Sequence, residues 1–140
     1  MYAWSLTGNS HYKHIAQESF DFLLSAIFSE KKMETISNKR KVKGNKEADK
    51  FGEQPIDVAY TIMTLSRFYD VFCDNEYLKK MKIAFNWFLG NNRLTQIIYN
   101  PCTGGCYDGL EENHVNLNQG AESTVCYLMA RLTIEKYINE

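Results

Sequence analysis

The sequence predicts a single all-α domain that covers residues 1–140. Apolar residues recur at helical spacing in four segments, and residues that favour helix starts or ends bound these segments. No pair of strands is apparent between them. A chain of 140 residues fits one domain with a substantial buried core.

The first two predicted helices cover about residues 11–28 and 55–72. In the first helix, one apolar stripe contains Ile15, Phe22 and Ala26. The second helix begins at Pro55, because the N–H group that proline lacks has no helical partner in a first turn. Both segments are therefore predicted to pack one face against a core.

The third and fourth predicted helices cover about residues 76–89 and 119–137. The third is followed by Gly90-Asn91-Asn92, which is typical of a helix end. The fourth carries Glu122 in its first turn, where a carboxylate interacts favourably with the helix dipole. Residues 94–99 are predicted to form a short extended segment.

Two long connections separate these helices, a basic loop at about residues 30–52 and a polar loop at about residues 91–118. The basic run at residues 39–46 precedes acidic residues and has no interleaved aromatics, so we interpret it as a solvated surface loop. The polar loop is unusually long for a compact domain. Its Tyr107 and Leu110 can attach it to the core, and we therefore expect it to form the wall of a polar site.

Composition argues against several classes of protein. The net charge of −1 provides no overall field for nucleic acid, and no nucleic-acid partner is expected. No segment approaches the ~20 apolar residues of a membrane span, and the first residues do not resemble a signal peptide. We expect a cytoplasmic protein with free thiols and no cofactor. Cys102, Cys106 and His114 form only a weak zinc pattern, so no metal site is predicted.

A faint internal repeat relates the first predicted helix to the third. Residue types match at one constant offset in Tyr12 and Tyr77, Phe20 and Phe85, and Leu24 and Leu89. Self-similarity at a fixed offset indicates stacked helical hairpins, none of which buries its apolar face alone.

Four sequence blocks, at residues 51–57, 84–92, 101–109 and 115–124, resemble a bacterial protein family in order and spacing. They include Thr-Gly-Gly-Cys followed by Asp-Gly-Leu, and Asn-Gln-Gly-Ala-Glu-Ser-Thr. The family is the all-helical C-terminal domain that is attached to, or encoded beside, sugar-nucleotide glycosyltransferases. The resemblance extends from about Ile36 to the C terminus.

The resemblance implies helical hairpins of an incomplete (α/α) toroid. This architecture is also found in several glycoside hydrolases and in N-acylglucosamine epimerase, where more hairpins surround a central cavity. The missing helices would come from another chain or from a second copy in a homodimer. The chain departs from the family because it lacks a nucleotide-binding Rossmann half, and because Cys102 stands where a small residue is expected.

The resemblance also implies a polar cavity lined by the ends of the inner helices and their loops. The carboxylates predicted to be catalytic there are Asp57, Asp108 and Glu122. The residues predicted to bind substrate are Glu53, Gln54, Trp87, Asn91, Tyr107 and Gln119. Inverting glycoside hydrolysis uses a carboxylic acid and a carboxylate base about 6.5–9.5 Å apart.

Structural roles compete with these assignments. Asp57 and Glu122 would cap helices, Asp108 with Gly109 would form a turn, and Trp87 would lie in the core. The predicted function is a carbohydrate-active helical module that binds or processes a saccharide in a glycosyltransferase or glycosidase system. The alternatives are a non-catalytic interaction module and a truncated remnant that needs a partner chain or self-association.

Overall fold

The computed structural model describes residues 1–36 and 51–138, which form five helices and one two-stranded sheet. The helices are α1 (Tyr2–Thr7), α2 (Ser10–Ile27), α3 (Pro55–Phe72), α4 (Asn75–Phe88) and α5 (Ala121–Glu135). The sheet pairs β1 (Gly109–Leu110) with β2 (Val115–Asn116). The predicted all-α class is therefore confirmed, while the basic run at residues 39–46 lies outside the described residues.

Helix α2 has the predicted bounds to within one residue, but the short α1 before it was not predicted. Helix α1 ends at Gly8, whose φ is 68° and whose N–H donates to the Trp4 carbonyl at 2.8 Å. Asn9 then caps α2, because its Oδ1 accepts the His11 N–H at 3.0 Å. Helix α1 contains no buried residue, so it left no clear hydrophobic pattern in the sequence.

Helices α3 and α4 form an antiparallel hairpin close to the predicted bounds. Cys73 makes the turn with a φ of 53°, and Asp74 caps α4 by accepting the Glu76 N–H at 2.9 Å. Near this turn, the ring centroids of Phe68 and Tyr77 lie 5.5 Å apart. The start of α4 therefore packs against the end of α3.

Helix α5 packs against both α3 and α4 and runs parallel to α3. Near its start, Tyr127 contacts Phe85 and Phe88, which lie near the end of α4. Just beyond its end, the Tyr137 hydroxyl donates to Asp70 of α3 at 2.8 Å. These contacts leave a long connection between α4 and α5 at one end of the bundle.

Helix α2 packs antiparallel to α3 and therefore runs in the same direction as α4. The ring centroids of Phe20 and Phe68 lie 4.5 Å apart. Lys13, near the start of α2, has its Nζ 4.7 Å from the ring centroid of Phe72 at the end of α3. Helices that follow one another along the chain, α2, α3, α4 and α5, thus alternate in direction, and α5 lies parallel beside α3.

The predicted repeat relates α2 to α4, but burial follows it only in part. Phe20 and Phe85 are both 6% exposed. Tyr12 is 44% exposed, whereas Tyr77 at the matching position is 8% exposed. The matched residues therefore share their packing environment at Phe20 and Phe85 but not at Tyr12 and Tyr77.

The polar loop between α4 and α5 packs against the core. Four of its side chains are fully buried: Asn92, Ile98, Cys106 and Leu110. The loop contains the two-stranded sheet, in which Gly109 pairs with Asn116. The sequence did not predict this sheet, because strands of two residues are too short to show alternation.

No helix within residues 1–36 and 51–138 combines the length and apolar character that a membrane crossing requires. The four cysteines are free thiols, of which Cys73 and Cys102 are exposed and Cys106 and Cys126 are buried.

We expect Phe88→Ala to lower the free energy of unfolding by about 3–5 kcal/mol, because it would leave a cavity in the core. Phe88 is fully buried and its ring contacts Tyr127. Urea denaturation followed by circular dichroism measures the loss. Phe22→Ala is the matched control, because Phe22 is 78% exposed, and its cost should stay within about 0.5 kcal/mol. Equal losses in the two variants would contradict this core.

Candidate functional site

Three helix ends meet at one end of the bundle, which we call the loop end. Helices α3 and α5 begin there, α4 ends there, and the connection of residues 89–120 covers it. All residues predicted to form a site belong to these helix ends or to this connection. The structure therefore brings the predicted set to one end of the molecule, although the side chains have different environments.

Glu53 is a buried carboxylate at the centre of the loop end, with only 3% of the residue exposed. Its Oε2 accepts the Trp87 Nε1–H at 2.7 Å, and its Oε1 accepts the Arg93 Nε–H at 3.2 Å. Burial raises the pKa of Glu53, while the Trp87 hydrogen bond and the Arg93 charge oppose this rise. Both carboxylate oxygens are thus used to join α3 to α4 and to the loop.

The sequence did not single out Arg93, which extends this network. Its guanidinium donates to the Glu112 carbonyl at 2.8 Å and also to the Glu111 carbonyl. Arg93 thereby connects Glu53 to the hairpin turn between β1 and β2. A single cation after a helix stop gives no local signal of its partner, and the ion pair spans 40 residues of sequence.

The main chain of Glu53 also pairs with the loop. Its N–H donates to the Leu110 carbonyl at 3.1 Å, and its carbonyl accepts the Leu110 N–H at 2.9 Å. Gly109 permits this approach, because its φ is 144° and a Cβ there would lie 2.1 Å from the Glu53 carbonyl oxygen. Glycine is needed here for both space and backbone conformation.

Asp108 caps α5 from within the loop. Its Oδ1 accepts the Gly120 N–H at 2.9 Å and the Ser123 hydroxyl at 2.7 Å, and its Oδ2 accepts the Asn118 amide. Burial alone would raise its pKa, but these hydrogen bonds outweigh that effect and lower it. The position before α5 is Gly120, which has no side chain, so Asp108 supplies the cap from twelve residues away.

Asp57 and Glu122 differ from these two acids because neither is engaged by the fold. They lie in the first turns of α3 and α5, and both are exposed. Within the described part of the chain, neither carboxylate accepts a hydrogen bond or joins an ion pair. Hydrogen-bonded capping therefore does not account for them.

The charges of Asp57 and Glu122 act on one thiol. Burial raises the pKa of Cys126, and the charges of Glu122 and then Asp57 raise it further. Both charges reach Cys126, one from the first turn of each of two parallel helices. Surrounding protein atoms also raise the pKa of Asp57 by reducing its hydration, although the residue is exposed.

Asp57 also borders a groove of about 820 Å³ that runs along α3. Phe20 and Leu23 of α2 contribute an apolar wall, and Lys136, just beyond the end of α5, also lines the groove. One face of α3 lines the groove with Asp57, Tyr60, Thr64 and Arg67. These positions follow helical spacing, so this polar stripe was visible in the sequence, but the sequence did not show that it lines a groove.

Two residues of this stripe stand out. Tyr60 is 58% exposed and lies one turn after Asp57. The Nε of Arg67 is buried without a hydrogen-bond partner among the described residues, and its guanidinium carbon lies 4.5 Å from the Tyr2 ring centroid. The groove thus contains an acid, an aromatic ring and an unsatisfied donor.

The remaining predicted site residues have mostly structural contacts. Trp87 is fully buried, so it presents no exposed ring face. Asn91 donates its amide to the Lys31 carbonyl at 2.8 Å. The hydroxyl of half-buried Tyr107 accepts the Asn100 amide at 3.0 Å, and exposed Gln119 accepts the Thr103 hydroxyl at 2.6 Å.

Gln54 precedes α3, and its side chain does not cap that helix. Burial raises the pKa of the Cys106 thiol to about 12, with smaller contributions from nearby negative groups. Such a thiol stays protonated at neutral pH and is a poor nucleophile. Among residues 1–36 and 51–138, no cluster of three or more His, Cys, Asp or Glu side chains could hold a metal ion.

No protein-family model matches this chain, and a search of curated proteins finds no significant relative. The resemblance to glycosyltransferase-associated helical domains therefore rests on the sequence blocks themselves.

We expect Glu53→Gln to lower the free energy of unfolding by about 1–3 kcal/mol. The amide would replace one acceptor oxygen with a donor and leave either Trp87 or Arg93 without its acceptor in a buried site. Urea denaturation measures the change. Glu112→Gln is the control, because Glu112 is exposed and contacts Arg93 through its main-chain carbonyl. If Glu53→Gln lowered the free energy of unfolding by no more than the control does, this network would not be what holds the loop.

We expect Asp108→Asn to destabilise the protein by about 0.5–2 kcal/mol near neutral pH, the usual contribution of a helix cap. Folding lowers the pKa of Asp108 below its ordinary value of 3.8. The ionised carboxylate therefore stabilises the fold at pH values above 3.8. That contribution is lost as the pH falls through the folded-state pKa. The stability gap between wild type and variant should therefore shrink below about pH 4 in urea titrations. A gap that is independent of pH would contradict the cap.

Proposed function

We propose that this chain is a carbohydrate-active helical module of the (α/α)-toroid type that binds a saccharide in the groove along α3. The observation that carries the proposal is the stripe of Asp57, Tyr60, Thr64 and Arg67 on the groove side of α3. A volume of about 820 Å³ is within the usual range for small-molecule sites. The alternating helix directions and the four sequence blocks also support a toroid-like module.

The groove chemistry suits a sugar ligand. Tyr60 would stack on the apolar face of a sugar ring, a role for which buried Trp87 is not available. The Thr64 hydroxyl, which donates to the Tyr60 carbonyl at 2.8 Å, would accept a hydrogen bond from a sugar hydroxyl, and the Arg67 guanidinium would donate one to another. The apolar wall formed by α2 would exclude water from the other side of the ring.

In processing of the saccharide, Asp57 would act as the general acid, because its raised pKa favours the protonated form that donates a proton. Glu122 would act as the base that activates water: it does not itself line the groove, but its charge acts on Cys126 as that of Asp57 does, and it has no partner among the described residues. Asp108 would serve as a positioning residue, because its hydrogen bonds hold the start of α5 and thus Glu122.

The free thiols are consistent with the reducing bacterial cytoplasm as the location of this module.

The second candidate function, a non-catalytic interaction module, is favoured by the exposed apolar side chains of α5, of which Leu128 is 53% exposed.

Titration of the ¹⁵N-labelled chain with a panel of monosaccharides and oligosaccharides tests the proposed function. We expect amide shifts around Asp57, Tyr60 and Arg67. Asp57→Asn and Tyr60→Ala should each weaken binding at least about tenfold, or ~1.4 kcal/mol. The matched control is Asp21→Asn on α2, an exposed carboxylate outside the groove, which should bind like the wild type. Shifts that avoid the groove for every sugar would overturn the proposal.

A separate assay tests processing. Oligosaccharides that bind should release new reducing ends in the presence of the wild type. Release should fall at least about a hundredfold in Asp57→Asn and in Glu122→Gln, within the range that general acid–base catalysis contributes. If oligosaccharides bind but no new reducing ends form, the chain is a saccharide-binding module and neither carboxylate is catalytic.

A further inference from the structure

Helix α5 carries apolar side chains on two opposite faces. The face against α3 and α4 contains the buried residues Cys126, Tyr127, Ala130 and Ile134. The opposite face contains Val125, Leu128 and Leu132, which are 52%, 53% and 55% exposed. A helix that is apolar on both sides is typical of one that is covered on both sides.

The exposed face has the spacing of a helix-pairing seam, which we define as Ala121, Val125, Leu128 and Leu132. These residues follow one another at intervals of four, three and four, as core positions do in paired helices. The seam extends along most of α5, whose 15 residues span about 22 Å. Contiguous exposed apolar surface of this kind marks interaction sites.

Opposite charges lie at the two ends of one flank of the seam. Glu122 lies at the start of this flank, Lys136 lies just beyond the end of α5, and Met129 lies halfway between them. Because seven residues make nearly two helical turns, all three project on the same side. Glu122 and Lys136 are exposed, and neither forms an ion pair among the described residues.

We propose that α5 is a homodimer interface, in which the seam packs against the α5 seam of a second copy in antiparallel orientation. A twofold axis near Leu128 would set Leu128 against Leu128 and Val125 against the second copy's Leu132. The symmetry brings matching flanks together with reversed direction. Glu122 then faces the second copy's Lys136, and the same ion pair forms at the other end.

The charge pattern selects this orientation. In a parallel pair, the twofold axis would run along the helices and place this flank on opposite sides of the seam in the two copies, so Glu122 and Lys136 would not meet across the interface. Charge contacts that one arrangement makes and the other lacks are a common source of pairing specificity. The antiparallel pair instead joins opposite charges at both ends and buries the aliphatic seam between them.

The interface does not rest on the proposed saccharide function. The four seam residues do not line the α3 groove, although the flank residue Lys136 does and Glu122 is the proposed base. Leu128→Glu touches neither of these two residues and therefore separates dimer formation from sugar binding.

Sedimentation equilibrium of the full chain over a concentration series tests the dimer. We expect the mass to rise from 16.3 kDa towards twice that value. Leu128→Glu should remain monomeric, because it would place two carboxylates at the twofold axis. Phe22→Glu is the matched control: Phe22 is 78% exposed on α2, so this variant should dimerise like the wild type. Circular dichroism verifies that both variants are folded.

A monomeric wild type at every concentration would overturn the proposal, and so would a dimer that Leu128→Glu leaves intact. Both results can be interpreted without sugar, because the readout is mass alone.

Charge reversal tests the orientation at low salt. Glu122→Lys should weaken the dimer at least about threefold, because lysine would then face the second copy's Lys136. Adding Lys136→Glu to the same chain should restore the wild-type dissociation constant. A Glu122→Lys dimer as tight as the wild type would overturn the antiparallel arrangement, since only that arrangement sets Glu122 against the second copy's Lys136.

Discussion

The buried carboxylate of Glu53 holds the loop end of the molecule together. Glu53 precedes α3, and its carboxylate accepts hydrogen bonds from the Trp87 indole N–H of α4 and from the Arg93 Nε–H. Arg93 in turn donates to the Glu112 carbonyl in the loop. A charge removed from water is tolerated only when its oxygens are fully bonded. The helix ends and the loop must therefore close around Glu53 together, and their mutual placement depends on this one group.

The packing at the loop end divides the acidic residues into those whose carboxylates are hydrogen-bonded within the fold and those whose carboxylates remain available to a ligand. Glu53 and Asp108 use their oxygens to hold the loop and the start of α5. Since Asp108 already caps α5, Glu122 in the same helix turn is left without a partner in the described chain. Asp57 occupies the corresponding turn of α3, so the charges of the two available acids reach Cys126 from parallel helices.

The described helices also leave two surfaces of contrasting chemistry. The α3 groove combines polar groups with an apolar wall, as expected for a small polar ligand such as a sugar. The seam on α5 is aliphatic, with charges only at its flank, as expected for a second helix. Ligand and partner would therefore bind to different faces of one helical bundle.

The sequence by itself determined the all-α class and the bounds of α2 to α5 to within about two residues, because Pro55 and the Gly90-Asn91-Asn92 stop are local signals. It also placed the candidate acids at helix starts and left a core position open for Trp87. Only the tertiary structure decided which acids are engaged, because the Glu53–Arg93 pair and the Asp108 cap join residues that are distant in sequence. The α3 groove likewise exists only where α2 packs against α3, and long-range packing of this kind leaves no periodic trace in the chain.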